Sequence, residues 1–189
     1  TAVTRVYVHE YQHDHFVNLL VNEAKKFRIG DTQNEHTDMG PLISEKQRER
    51  VESYVGIAIS EGAKIAYGGR RIKRRGFYFE PTILTNVKHS SRVCKEEIFG
   101  PVLSVFKYKD VDEAVAKSND VVYGLAASVW GSNIADCLDV VKRLNFGTVW
   151  INEHGILLSE MPHGGFKQSG FGKDLSLYSL EEYTRIKHV

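Results

Sequence analysis

"PVLSVFKYKDVDEAVAKSNDVVYGLAASVWG", residues 101–131, carries three local instructions in one run. "PVLSVFKYK" (Pro101 to Lys109) alternates apolar and polar side chains, the pattern of a strand. Asp110 then stands three residues before Glu113, the spacing of a capping box, and opens a helix at "DEAVAKSND". "YGLAASVWG" brings the chain back into the sheet. Strand, helix and strand in succession predict a parallel crossover.

The alternation extends both ways from there. "TRVYV" (Thr4 to Val8) is rich in β-branched and aromatic residues and predicts a strand. A helix follows, with Phe16, Leu19, Leu20, Ala24 and Phe27 on one face and Gly30 at its end. Beyond the polar loop 31–41, Ser44 and Gln47 have capping-box spacing. They open a helix that buries Val51, Tyr54, Val55 and Ala58 and stops at Gly62. "AKIAYGG" and "FYFEPTIL" are extended, and Pro81 favours an edge or a bend. The helix after Ser132 carries Ile134, Cys137, Val141 and Leu144 on one face, and "GTVWIN" (Gly147 to Asn152) is expected as a buried strand. The predicted fold is α/β, a mostly parallel twisted sheet flanked by helices. From His163 to Asp174 the chain is Gly-rich and polar, and a short helix leads into a terminal strand, "YTRIKHV". That strand has no later partner in sequence, so pairing with another subunit is expected to cover its edge.

Bulk properties narrow the function. A chain of 189 residues with 42% hydrophobic content supports one sizeable core. The formal net charge of +1 implies no basic face, so nucleic acid is not an expected partner. The basic run "GGRRIKRRG" (Gly68 to Gly76) lies between two strand-like segments and is expected as a solvated hairpin loop. Two cysteines, Cys94 and Cys137, make no disulfide framework and fit a reducing, cytoplasmic setting. No apolar run reaches the ~18 residues of a membrane span, and no signal peptide is visible.

Several motifs invite chemistry. "HEYQH" (His9 to His13) has zinc-protease spacing, but strand-like residues precede His9 and the apolar helical period begins near Phe16. His9 is therefore expected to end a strand and His13 to lie at the following turn, with His15 in the same polar cluster. Cys94 has Lys95 beside it and only His89 nearby among histidines, so an inert, partly buried thiol is expected. Cys137 belongs to the apolar face of its helix. "HGGFKQSGFG" does not match G-x-x-x-x-G-K-[ST] and is expected as a crossover turn rather than a phosphate loop.

"KEEIFGPVLSVFKYKDVDEAVAKSNDVVYGLAASVWG", "GTVWINEH" and "MPHGGFKQSGFGKD" together resemble the aldehyde dehydrogenase superfamily. The likeness runs from "TAVTRVYVHE" to "YTRIKHV". Its specific part is E-E-I-F-G-P-V followed by N-x-x-x-Y-G-L-A. The resemblance implies a cysteine nucleophile that attacks an aldehyde, hydride transfer to NAD or NADP, and hydrolysis of the resulting thioester by glutamate-activated water. On this resemblance the nucleophile and the general-base glutamate are expected before Thr1, along with the NAD-binding domain. Residues 1–160 would then be a partial catalytic domain, and 161–189 a Gly-rich crossover with an oligomerisation segment of a homodimer or homotetramer. The isolated chain is expected to be inactive. An alternative of another class is a non-catalytic short relative that assembles with full-length subunits. An upstream reading frame giving G-Q-x-C just before Thr1 separates the two.

Residue roles follow from the same resemblance. Glu97 matches the glutamate that binds the nicotinamide ribose, Phe99 the aromatic residue beside the nicotinamide, and Gln47 a position near the cofactor. His154, Ile156, Leu157 and His163 match positions lining the substrate pocket, which "NEHGILLSEMPHGG" would build after Asn152. Many relatives have Phe where His163 stands. "SEMPHGG" and "GKDLSLYSLEEYT" look most like the bacterial aminoaldehyde group, which includes γ-aminobutyraldehyde and betaine-aldehyde dehydrogenases. In that setting Glu153 or Glu160 would attract a cationic aldehyde. Backbone carbonyls at Lys167 and Gly170 match a potassium site of some betaine-aldehyde enzymes, and Asp174 matches a relay carboxylate.

Overall fold

The computed structural model describes residues 2–189. It divides into two compact units, one of Thr4–Lys109 and one of Asp110–Val189 with the N-terminal tip.

The first unit runs β1 (Arg5–His9), α1 (Glu10–Ala24), α2 (Glu45–Ser60), β2 (Lys64–Tyr67), β3 (Thr82–Thr85), α3 (Arg92–Lys95) and β4 (Val102–Tyr108). Its sheet has the order β1-β4-β3-β2. β1 and β3 lie parallel to β4, in registers Arg5↔Ser104 and Thr82↔Val102, and β2 pairs antiparallel to β3 at the edge. Side chains alternate across a strand, so neighbouring residues supply different cores. Leu84 and Val102 join the α2 residues Val51, Tyr54, Val55 and Ala58 in one cluster. Ile83 and Val105 join Val8 and Ala24 in the other, with Phe16, Val17, Leu20 and Val21 of α1 packed against it.

α2 forms as the sequence predicts. Ser44 Oγ accepts the Gln47 backbone N–H at 3.2 Å, and Val51, Tyr54, Val55 and Ala58 are buried. α1 departs from expectation. It begins at Glu10, with His9 as its N-cap, so His13 lies within the helix rather than at a turn before it. It also stops at Ala24 rather than Gly30. With that start, the buried stripe is Phe16/Val17, Leu20/Val21 and Ala24, and Leu19 and Phe27 stay exposed. A histidine cap has no strong sequence signature, which is why the apolar period misplaced the boundary.

Three cations of the basic hairpin have partners outside the run. Arg71 pairs with Glu52, Arg70 lies 3.6 Å from Glu80, and the Arg74 guanidinium stacks 4.4 Å from the Tyr78 ring centroid.

The second unit runs α4 (Val111–Asn119), β5 (Tyr123–Gly124), β6 (Ala126–Val129), α5 (Ile134–Arg143), β7 (Thr148–Ile151), β8 (Phe166–Lys167) and α6 (Ser176–Glu182). Asp110 Oδ1 accepts the Glu113 N–H at 2.8 Å and starts α4 as predicted. β6, α5 and β7 form a crossover, with β6 and β7 parallel in register Ala126↔Thr148. The "YGLAASVWG" strand thus enters a two-stranded sheet instead of extending the four-stranded one. β7 is consequently half-buried along its length, where a fully buried strand was expected. Cys137 is buried on α5, while Ile134 on the same helix is 58% exposed.

The glycines after His163 pack backbone on backbone. A Cβ on Gly147 would lie 1.6 Å from the Gly164 carbonyl oxygen, and one on Gly164 would lie 2.6 Å from that of Gly172. His163 and Asp174 close this coil with reciprocal backbone bonds of 2.8 and 2.6 Å. The terminal strand predicted at "YTRIKHV" is absent: residues 184–189 form no ladder, and Ile186 and Val189 are fully exposed. A strand exists only with a partner, and a single chain offers this segment none.

Candidate functional site

One face of α2 organises the segment Glu96–Gly100. Gln47, Arg50, Val51 and Tyr54 follow the i, i+3, i+4, i+7 spacing that places side chains on one side of a helix. Gln47 Nε2 donates to the carbonyls of Ile98 and Phe99 at 3.1 and 2.7 Å. Arg50 donates to the Glu97 carbonyl at 2.6 Å and to that of Ile98 at 3.3 Å. A Cβ on Gly100 would lie 2.3 Å from Val51 Cγ2, so the helix and the loop touch without a side chain between them. Tyr54 OH donates to Glu96 Oε2 at 2.5 Å.

This clamp decides which side chains face outward. Ile98 is buried, whereas Glu97 is exposed and Phe99 is 74% exposed. Phe99 has φ +60°, a left-handed backbone unusual for a bulky residue. The Glu97 carboxylate has no hydrogen bond or ion pair among the described residues. Glu96 is the structural carboxylate of the pair, held by Arg92 at 2.8 and 2.9 Å and by Tyr54. Gln47 spends its side-chain NH2 on the loop carbonyls. Arg50 escaped the sequence reading, since nothing in an isolated helix announces a bond to carbonyls 47 positions away.

Hydrogen bonds from Arg92 and Tyr54 depress the Glu96 carboxyl from 4.5 to about 2. A depressed folded-state value adds stability above the unfolded value and loses it as pH falls toward the folded one. The stability difference between the wild type and Glu96→Gln is therefore expected to shrink as pH falls from about 4.5 to about 2. Denaturant titrations at several acidic pH values check this, and a pH-independent difference would contradict it. The side chain is 40% exposed, so solvent screening keeps the effect modest.

Cys94 is buried, with Sγ 3.4 Å from His89 Nδ1, and His89 Nε2 is 3.0 Å from Lys95 Nζ. Burial pushes the thiol pKa up, which keeps it protonated and unreactive. His13 is buried with Nδ1 2.7 Å from Asp14, while His9 sits before the helix. Among the described residues no group of three or more His, Cys, Asp or Glu side chains converges on a metal position.

In the second unit the loop after β7 is organised by Trp150, which the sequence reading did not single out. Its indole N–H donates to the Ile156 carbonyl at 2.8 Å. Its ring lies 4.9 Å from that of His154 and 6.4 Å from that of His163. His163 Nδ1 is 2.9 Å from Thr148 Oγ1. Ile156 and Leu157 are about half exposed. Glu153 accepts the His154 backbone N–H at 2.9 Å, whereas Glu160 is exposed. A cleft of about 610 Å³ is lined by His163, Phe171, Lys173, Asp174 and Glu182 among others, so His163 and Asp174 share it while His154, Ile156 and Leu157 do not line it.

Lys167 Nζ donates to the carbonyls of Asn119 and Val121, both at 2.9 Å, and so neutralises the C-terminal end of α4. Lys167 and Gly170 have φ of +53° and +143°. Lys167 lies inside, and Gly170 just after, a tight turn closed by the Ser169 N–H on the Phe166 carbonyl at 3.1 Å.

The sheet and its helices place the molecule among α/β proteins, with an outward carboxylate and aryl ring on a clamped loop in the first unit and an indole–imidazole cluster in the second. The chain belongs to the aldehyde dehydrogenase family, whose model matches residues 1–189. Members of that family are NAD(P)-dependent oxidoreductases. The chain is 44% identical over 193 residues to betaine aldehyde dehydrogenase of Bacillus subtilis, covering 100% of this chain and 39% of that protein. It is 43% identical to the mitochondrial aldehyde dehydrogenase of Leishmania tarentolae, covering 100% of this chain and 38% of the relative. Among solved structures, Staphylococcus aureus betaine aldehyde dehydrogenase in complex with NAD+ matches with TM-score 0.92 and 41% identity, over 95% of this chain and 37% of that one. A Bacillus cereus aldehyde dehydrogenase matches with TM-score 0.95 and 41% identity, over 97% and 38%. The chain thus spans about two fifths of the length of these relatives.

Proposed function

We propose that this chain is the C-terminal part of an NAD(P)-dependent aldehyde dehydrogenase that oxidises an aminoaldehyde to a carboxylic acid through a cysteine thioester. The carrying observation is the α2 clamp, which holds Glu97 and Phe99 outward on a fixed backbone. An exposed carboxylate suits a ribose diol, because its oxygens accept from two hydroxyls and fix the sugar. The exposed aryl face of Phe99 suits the flat nicotinamide ring. When bound, NAD(P) supplies the hydride acceptor. Glu97 orients it, Phe99 limits its sideways freedom, and Gln47 acts by fixing the loop's carbonyls rather than by reaching the cofactor.

On the substrate side, His154, Ile156, Leu157 and His163 present imidazole and aliphatic surface to the aldehyde's tail. Glu153 or Glu160, both exposed, attracts a cationic tail. Asp174 shares the His163 cleft and is assigned the relay. No step is routed through potassium at Lys167 and Gly170. The functional division falls between 160 and 161, with residues 161–189 as the oligomerisation segment of a cytoplasmic homodimer or homotetramer. The exposed, unladdered segment 184–189 supports that reading. No helix among the described residues is long and apolar enough to cross a membrane.

A panel of aldehydes assayed by NADH absorbance on the intact enzyme tests the proposal. Turnover of γ-aminobutyraldehyde is expected to exceed that of propionaldehyde in kcat/KM. Equal values would discard the aminoaldehyde assignment, and no NADH from any aldehyde would discard the activity itself.

A further inference from the structure

We propose that Trp150 is a positioning residue that sets substrate selectivity by tying the loop 152–163 to strand β7. The proposal rests on that loop facing the aldehyde. Thr148 and Trp150 share one side of the strand by its period of two, and Asn152 follows it with a left-handed backbone. All three reach loop or turn groups. Thr148 Oγ1 meets His163 Nδ1 at 2.9 Å, at the far end of the loop. The Trp150 indole N–H takes the Ile156 carbonyl at 2.8 Å, near its middle. Asn152 holds Gly131 from both sides, accepting its N–H and donating to its carbonyl at 2.9 Å each, and so fixes where the loop departs.

Within the stretch the His154 backbone N–H also meets Glu153 Oε1 at 2.9 Å. Its backbone bonds include Met161 N–H to the Leu158 carbonyl at 3.0 Å and Ser176 N–H to the Ser159 carbonyl at 2.8 Å, both beyond Ile156. The indole bond reaches the part that carries His154, Ile156 and Leu157. Its ring is also a floor for two imidazoles, 4.9 Å from His154 and 6.4 Å from His163. Aromatic pairs at such separations favour defined orientations. One side chain thus sets the backbone height of Ile156 and the attitude of both histidines. The surface it shapes is an aromatic and aliphatic wall, suited to an extended aldehyde tail more than to a two- or three-carbon aldehyde.

Trp150→Phe keeps a ring under the imidazoles and removes the N–H donor. In the intact enzyme the kcat/KM ratio of γ-aminobutyraldehyde to propionaldehyde is expected to fall roughly 3–10-fold, the range of one neutral hydrogen bond. kcat with propionaldehyde and KM for NAD are expected to stay within about 2-fold. Equal losses with every aldehyde, or an altered KM for NAD, would mean a merely structural role and overturn the proposal. A second measurement on the present chain needs no activity. By hydrogen exchange, Trp150→Phe is expected to speed amides 153–158 while β6 and β7 keep their protection. Unchanged loop exchange would overturn the tie. If the wild-type enzyme used no aldehyde, the assigned reaction would fail and, with it, the selectivity role, whereas the exchange result would still decide the tie itself. Thr148→Val provides an independent variant, expected to free the His163 ring without loosening residues 153–158.

Discussion

Gly147→Ala is expected to destabilise the second unit by more than about 3 kcal/mol, beyond the usual range for overpacking. The added methyl would stand 1.6 Å from the Gly164 carbonyl oxygen and 2.8 Å from its carbon. Both are backbone atoms, so no rotamer change relieves the contact. Gly147 also donates its N–H to the Gly124 carbonyl at 3.0 Å and leads directly into β7, so it cannot retreat without shifting that strand. Gly155→Ala is the matched control. Gly155 has φ +88° but nothing within 4 Å of its absent Cβ, so it tests backbone strain alone, at about 1 kcal/mol. Denaturant midpoints by circular dichroism compare the two. Equal midpoints would refute the close-packing account of the coil.

Glu97→Ala is expected to separate activity from stability. The side chain is exposed and without a protein partner among the described residues, so its loss should change folding free energy by no more than about 0.5 kcal/mol. In the intact enzyme, a carboxylate that accepts charged hydrogen bonds from a ribose contributes about 1.5–3 kcal/mol, so kcat/KM for the cofactor is expected to fall roughly 10–100-fold. The thermal midpoint of this chain and the cofactor dependence of the intact enzyme are the two measurements. A destabilised chain with unchanged cofactor kinetics would reverse the assignment, making Glu97 structural and Glu96 the candidate.

The legible parts of the sequence were those decided within a few residues. Ser44 and Asp110 cap their helices as spaced, and the α2 core stripe is a local periodicity. The family resemblance on E-E-I-F-G-P-V, and the α/β class, agree with the family match and the fold. What escaped depends on partners distant in sequence. Whether "YGLAASVWG" extends one sheet or starts another is a question of pairing, and strand propensity is silent on it. The same holds for "YTRIKHV", whose apolar residues suit a strand that one chain cannot pair. At the site, the motif pointed to Glu97 and Phe99, and the structure leaves both side chains exposed. Arg50 and Trp150 were not legible, because each acts on a carbonyl that no motif names. The two glutamates of "KEEI" look alike in sequence, and only the direction of the loop gives one to Arg92 and the other to solvent.

The left-handed backbone at Phe99 sets two demands against each other at a single position. Conformational ease favours glycine, which occupies that region without a steric penalty. Stacking against a flat heterocycle favours the ring. If Phe99 stacks as proposed, selection for thermal endurance alone would erode the aryl group and selection for turnover would retain it, so durability and catalysis would diverge at this residue.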